Sequence, residues 1–457
     1  MDQTTEPISE EARHQEHLLA LTEALDRASL EDVRAQVSQL HPAEVADLLE
    51  SLPSKDRDRV WEQLDADLHT DVLAYAEDAV RARRMLQMEP EEVAAAAQDL
   101  ETDDAVDLLQ DLPEKVIDEV LQSMDAQNRE RLQSVLAYPE DTAGGLMNID
   151  TITVRGDVDL ETVLRYLRLR SEVPEKTDSL MVVDRENYFQ GMLPLTGLLV
   201  GDPETPVAEV MKTDVKGIAA TTSDRDVAQL FEKRDLLSAP VVDDDGRLLG
   251  RITVDDVVDV IRDEGEHSLM SMAGLDEEDD MFAPAFASAR RRNVWLGINL
   301  GTALLASWVI GLFEATIQEV VALAVLMPVV ASMGGIAGSQ TLTVVIRGMA
   351  LGQVGQSNAG DLMMKELLVG IINSLLWAVV VALVAIFWFQ STSLGLIVGA
   401  ALIINLVVAA LAGASIPLLL RKLSIDPALA GGVVLTTVTD VIGFLAFLGL
   451  GTIFLLN

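Results

Sequence analysis

The chain has no cysteine among its 457 residues. That excludes disulfides and thiolate metal sites, though it identifies no compartment. Histidine is scarce as well: five in all, none after His267. A soft transition-metal centre beyond that point therefore has no ligands of its preferred kind. Basic residues are few, 33 Lys and Arg against 73 Asp and Glu, for a formal net charge of −40. A chain so acidic lacks the basic footprint of nucleic-acid binding, so no nucleic-acid partner is expected. The opening residues, MDQTTEPISE, are acidic and have no apolar core, so no signal peptide is visible. Nothing resembles a phosphate-cradling Walker loop, so ATP hydrolysis is not expected and the chain reads as a non-enzyme.

The charge that is present is unevenly spread. Residues 290–457 hold seven basic and six acidic residues, leaving 26 of the 33 basic and 67 of the 73 acidic ones in 1–289. The first part is near −41 and the second near +1. The boundary is a change of solvent, from an acidic soluble portion to a membrane portion. Five apolar segments, at 293–313, 322–346, 367–389, 394–420 and 430–456, are each long enough to cross a hydrocarbon layer of about 30 Å. Arg290–Arg292, Arg347, Lys365, Arg421 and Lys422 all fall on one side of a five-span topology, whereas FEATIQEV and FQSTSLG carry no Lys or Arg. By the positive-inside rule the soluble portion and N-terminus are cytoplasmic and the C-terminus is outside, across the lipid bilayer.

Inside the spans, polar residues are few. From Gly431 to Leu456 one side chain is charged, Asp440. An ionised group at a bilayer centre costs about 2.5–3.5 kcal/mol on insertion scales, so it is a functional candidate whose partner must be found. No intramembrane Lys or Arg offers itself, which leaves a travelling cation. Thr436 and Thr437 lie four and three residues earlier, on the same helical face. The second span reads MPVVASMGGIAGSQTLTVVIRG. There Pro328, Gly334, Gly335 and Gly338 are expected to break the helix and free carbonyls beside Ser339, Gln340 and Thr341. The competing account of those glycines is close helix packing. Asn373, Ser374 and Asn405 are read as interhelical hydrogen-bonding groups. Oxygen ligands alone suit hydrated Mg²⁺, which keeps several waters while touching one or two carboxylates. One carboxylate does not balance a doubly charged ion, and five spans cannot form two equal inverted halves. A homodimer with a central pore is the simplest arrangement.

In the soluble part, LHPAEVADLLESLP (40–53) recurs as LETDDAVDLLQDLP (100–113). Apolar residues at helical spacing, broken by Pro, predict an all-α superhelix of short helices over 15–137. Strand and helix patterns then alternate, and PVVDDDGRLLGRI predicts a hairpin around Asp-Gly. These stretches resemble a pair of cystathionine-β-synthase (CBS) domains, at 147–210 and 211–262. GRITVDD fits the CBS pattern in which Thr253 and Asp256 would meet the ribose and phosphate of an adenine nucleotide such as ATP. The first half has GMLPLTG there, without the acid. Residues 263–292 would connect to the membrane domain, 293–457. Asp255, Asp259, Asp263 and Glu264 crowd the end of the last CBS helix. Either they form a solvated acidic face or they await divalent cations.

The order of superhelix, CBS pair, connecting (plug) helix and five spans resembles the MgtE family of magnesium channels over essentially the whole chain. The second-span stretch and DPALAGGVVLTTVTDVIG (426–443) carry the likeness most specifically. The resemblance implies a multi-domain membrane protein: all-α N-terminal superhelix, α/β CBS pair, connecting helix and five-helix transmembrane domain. It implies a homodimer in which Asp440 of both subunits holds hydrated Mg²⁺, with the Thr436 carbonyl nearby and Asp426 at the cytoplasmic mouth. Ile336 departs from the Asn the family often carries after Gly-Gly, which bears on selectivity for Mg²⁺ over Co²⁺. The expected function is a Mg²⁺-selective channel or uniporter closed by cytosolic Mg²⁺ on the acidic N and CBS domains. The alternatives are a membrane-anchored nucleotide sensor, a divalent transporter of broader selectivity, and a CBS-regulated anion channel.

Overall fold

A computed structural model describes residues 10–170, 173–174, 176–275, 280–355, 357–423 and 425–456. By its contacts the chain falls into two compact units. One is residues 1–265 with 278–283, and the other is 266–277 with 284–457.

The first unit begins with ten α-helices from Glu10–Asp26 to Ala126–Leu136. The sequence repeat explains their packing. Its first copy forms the helix Pro42–Glu50, started by Pro42 and by a capping box between His41 and Glu44. Its second copy forms Thr102–Gln110. In each copy the Leu-Pro pair ends the helix, and Pro53 or Pro113 is the N-cap of the next one. Val45, Ala46, Leu48, Leu49 and Leu52 are buried in one copy, and Ala105, Val106, Leu108, Leu109 and Leu112 in the other. Asp47 is exposed, whereas its equivalent, Asp107, is half-buried.

Two three-stranded sheets follow. In the first, Thr153–Arg155 pairs parallel with Ser179–Val183, which pairs antiparallel with Phe189–Pro194. The second repeats this plan with Ile218–Ala219, Ser238–Val242 and Leu248–Thr253. The expected hairpin is the last pair, turned at Gly246 with φ +87°, where glycine avoids the cost of a left-handed backbone. The core of the second sheet is continuous with that of the N-terminal helices, through Val241, Ile252 and Val257. The helix Val254–Met272 runs without interruption from the second sheet into the segment that precedes the spans.

Among the described residues the second unit contains five helices long and apolar enough to cross a membrane: Ala285–Gly311, Val321–Ala350, Ala359–Phe389, Thr392–Lys422 and Pro427–Leu455. The fourth span is the central one, packed on the second, third and fifth, while the first packs on the fifth. One expectation fails here. The second span is a single helix from Val321 to Ala350 with Pro328 inside it. Gly334 and Gly338 serve helix packing. A Cβ on Gly334 would meet the buried Asn405, one on Gly338 would lie 2.9 Å from Leu435, and one on Gly413 would lie 2.6 Å from the Gly338 carbonyl. Asn405 donates from Nδ2 to the Val330 carbonyl at 2.9 Å, as expected of an interhelical group. Ser374 instead bonds back to Ile371 of its own helix, and Asn373 is exposed.

Candidate ion pathway and regulatory interface

The second and fifth spans enclose an open groove of about 770 Å³. From the second span it is lined by Ala331, Ser332, Gly335, Ile336, Ser339 and Gln340 among others, and from the fifth by Thr436 and Asp440. The periodicity is helical: 332, 336, 339, 340 and 343 on one helix face 436 and 440 on the other. Gly335 has open space where a Cβ would stand, so it widens this groove, unlike Gly334 behind it. Asp440 is half-buried. Among the described residues no cation and no hydrogen-bond donor engages its carboxylate.

Thr436 stands one turn below Asp440. Its hydroxyl donates to the Gly432 carbonyl at 2.9 Å, and its own carbonyl accepts from the Thr439 hydroxyl at 3.1 Å. Inside an unbroken helix that carbonyl also accepts the backbone N–H one turn on, so both its lone pairs are engaged. Thr437 donates to the Val433 carbonyl at 2.7 Å and is not among the groove residues. Thr341 also departs from expectation. It is buried, and its hydroxyl donates at 3.3 Å to Glu366 on the third span. Glu366 is itself buried, with Lys365 Nζ 3.1 Å from its other oxygen. Sequence reading passed over Glu366 because the apolar run starts one residue after it. Asp426 caps the fifth span by accepting from the Ala428 amide at 2.9 Å, and its other oxygen is 3.2 Å from His267 Nε2.

Three family descriptions match the chain. "Divalent cation transporter" (MgtE) covers residues 327–450, "MgtE intracellular N domain" covers 40–141, and "CBS domain" covers 207–263. The magnesium transporter MgtE of Thermus thermophilus is 30% identical over 96% of this chain and 98% of its own length. The chain belongs to the MgtE family. The Bacillus subtilis magnesium transporter MgtE is 29% identical over 97% of this chain and 98% of its own. A crystal structure of the cytosolic domain of the Mg²⁺ channel MgtE in complex with ATP is 31% identical over 53% of this chain and 99% of its own, with a TM-score of 0.48. The MgtE assignment makes this a multi-pass membrane transporter, with relatives named for magnesium.

The soluble unit of this MgtE-family chain brings two sets of carboxylates face to face. The helix Thr102–Gln110 supplies Asp103, Asp104 and Asp107, and the helix Val254–Met272 supplies Asp255, Asp256 and Asp259. Burial first, and the Asp256 charge with it, pushes Asp103 well above the ordinary carboxylate value. Burial likewise raises Asp107 to about 8, outweighing the attraction of Arg81. Asp256 is also raised by burial and by its neighbour Asp255. Such shifts mean that each carboxylate pays for its charge in this arrangement.

Of the residues singled out from sequence, Thr253 and Asp256 do meet: the Thr253 amide and hydroxyl both donate to Asp256 at 3.0 Å. The Thr253 hydroxyl also reaches Asp255. The other acids have basic partners that spacing alone did not show. Asp255 pairs with Lys176. Arg262 lies between Asp259 and Asp263, at 3.4 and 3.3 Å, and Glu264 is 2.5 Å from Arg225. Among the described residues no group of three His, Cys, Asp or Glu converges as a metal site.

Proposed function

We propose that this chain is a Mg²⁺ channel or uniporter of the plasma membrane, closed by cytosolic Mg²⁺. The observation that carries the permeation reading is Asp440, a membrane-embedded carboxylate with no counter-ion among the described residues, facing an open groove of about 770 Å³. The hydroxyls and amide of Ser332, Ser339, Gln340 and Thr436 offer outer contacts to the ion's water. Two chains related by a two-fold axis would set two such grooves together, and two Asp440 carboxylates would balance one divalent charge. Ile336 lines the groove without an oxygen, so discrimination against Co²⁺ rests on hydration. The soluble part lies in the cytoplasm and the C-terminus outside.

Closure follows from the acidic interface. Docking the N-terminal helices on the second CBS sheet sets like charges together, and each pair at ~4 Å costs roughly 1–4 kcal/mol between water-like and surface-like dielectric. Mg²⁺ held by its waters between Asp103, Asp104 or Asp107 and Asp255, Asp256 or Asp259 would replace repulsion by attraction. Asp263 and Glu264 extend the same acidic surface. An adenine nucleotide is a further regulator, held by Thr253 and Asp256. The deciding experiment is Mg²⁺ flux in proteoliposomes. Asp440→Ala and Asp440→Asn should both abolish it with the fold intact, and wild-type flux in Asp440→Asn would overturn the pore assignment.

A further inference from the structure

The N-terminal helices carry a basic pocket that an acidic domain does not need for solubility. Arg57, Arg81, Arg83 and Arg84 line it together with Trp61. Arg57 is engaged by a residue from outside these helices. Asp280, just ahead of the first span, reaches Arg57 through both oxygens, each 2.7 Å from a different guanidinium nitrogen. The side chains are 8% and 10% exposed. Arg57 is fixed from behind, donating from Nε to the Leu49 carbonyl at 2.7 Å and from Nη2 to the Glu50 carbonyl at 3.0 Å. Asp280 in turn accepts from the Phe282 amide at 2.9 Å. A two-pronged pair on a pre-fixed guanidinium has a definite orientation, which a surface ion pair lacks. Burial alone would raise the Asp280 carboxyl, but its bonds to Arg57 hold it below the ordinary value. The pair joins residues 223 positions apart, and the first span begins at Ala285, five residues after Asp280.

We infer that Arg57 and Asp280 form a strap through which the N-terminal domain acts directly on the first span, in parallel with the route through the CBS helix. The inference rests on the gating reading above. When the N-terminal domain docks, the strap fixes where residue 280 must be, and the short tether that follows limits where the first span can go. When the domain leaves, the tether is pulled or released with it. Cutting the strap should leave the domain able to dock but less able to close the pore.

Inside-out patches of the full-length chain test this, with cytosolic Mg²⁺ titrated. Asp280→Asn is the main variant, because it leaves Arg57 its bonds to the Leu49 and Glu50 carbonyls and spares the N-terminal fold. Half-closure should need about 5-fold more Mg²⁺, or beyond, in line with usual coupling strengths. Open-pore current should be unchanged, and hydrogen exchange of residues 102–110 should keep its wild-type Mg²⁺ dependence. Asp280→Glu should restore part of the shift. Met281→Ala, at a neighbouring side chain that is 88% exposed, should behave as wild type. If the wild type closes with Mg²⁺ and Asp280→Asn closes at the same concentration, the strap is refuted and the gating reading stands. If the wild type shows no dependence on Mg²⁺, the gating reading fails and takes the strap with it.

Discussion

Gly334→Ala and Gly335→Ala should differ sharply, although the two glycines are adjacent. A Cβ on Gly334 would run into Asn405 Nδ2 and lie 2.8 Å from its Cγ and 3.0 Å from its Oδ1. Asn405 is fully buried and cannot swing into solvent. It must shift, which strains or breaks its bond to the Val330 carbonyl. Overpacking of this kind costs about 1–3 kcal/mol, and an interhelical hydrogen bond in a membrane is worth about 0.6–1.7 kcal/mol. The expected loss is roughly 2–4 kcal/mol. Gly335 has nothing within 4 Å of a Cβ, so its alanine should cost no more than a few tenths of a kcal/mol while narrowing the ion groove. Unfolding in mixed micelles with increasing denaturing detergent measures the stabilities, and Mg²⁺ uptake measures the groove. Adding Asn405→Ala should recover much of the Gly334→Ala loss, giving a coupling of about 1–2 kcal/mol in a double-mutant cycle. If Gly334→Ala is as stable as wild type, or the double variant shows no coupling, the packing account is wrong and the glycine acts some other way.

Docking of the N-terminal helices should depend on pH. Burial raises Asp107 from 3.8 to about 8, so the docked state binds the extra proton. The part of that rise owed to Asp256 belongs to docking, so docking gains from the bound proton at low pH and loses that gain as pH rises through about 8. Hydrogen exchange of residues 102–110 in EDTA, corrected for intrinsic rates, should show stronger protection at pH 5.5 than at pH 8, and Asp107→Asn should flatten the difference. Equal protection at both values would remove the carboxylate repulsion from the account. Asp256→Ala should weaken adenine-nucleotide binding measured by calorimetry on the full chain, and no detectable binding of ATP by the wild type at millimolar concentration would end that idea.

Much of this architecture is written in local pattern. The 40–53 and 100–113 repeat, the Asp-Gly hairpin and the five apolar runs are each specified by residues close in sequence, where periodicity and turn chemistry act. Asp440 stands out in the sequence for a related reason, being the one charge in a long apolar run, and the structure sets it on the groove. What stayed hidden depends on pairs far apart. Whether Gly334 breaks a helix or packs one is decided by Asn405 on another span. Whether Thr341 faces the groove is decided by Glu366. The acids of 255–264 looked unpartnered because Lys176 and Arg225 come from distant segments, and Arg262 was passed over although it stands among them. The glycine misreading has a plain cause. Glycine lowers helix propensity, but a membrane gives the backbone no alternative hydrogen-bond partners, so the helix persists and the small side chain is used for contact.

On the proposed reading the two kinds of acidic site differ in whether they have counter-ions among the described residues, and this would order their affinities. Asp440 has none among the described residues, so a cation could enter and leave without displacing one. The regulatory acids are already partly neutralised, so Mg²⁺ must compete with Lys and Arg, which suits a sensor that responds only when the ion is abundant. Lys176 is the clearest competitor. It pairs with Asp255, and its charge also acts on Asp104 and Asp256. An ion of charge +2 placed ~5 Å from that ammonium loses about 1.7 kcal/mol even in a water-like dielectric, the fitting choice for a lysine 48% exposed. Lys176→Met removes that repulsion and should lower the Mg²⁺ needed for half-closure by roughly tenfold, with open-pore current unchanged. The shift should shrink in high salt, because the interaction is screened. Half-closure at the wild-type concentration, or above it, would show that Mg²⁺ does not bind among Asp104, Asp255 and Asp256, and the sensor would have to lie elsewhere on the acidic surface.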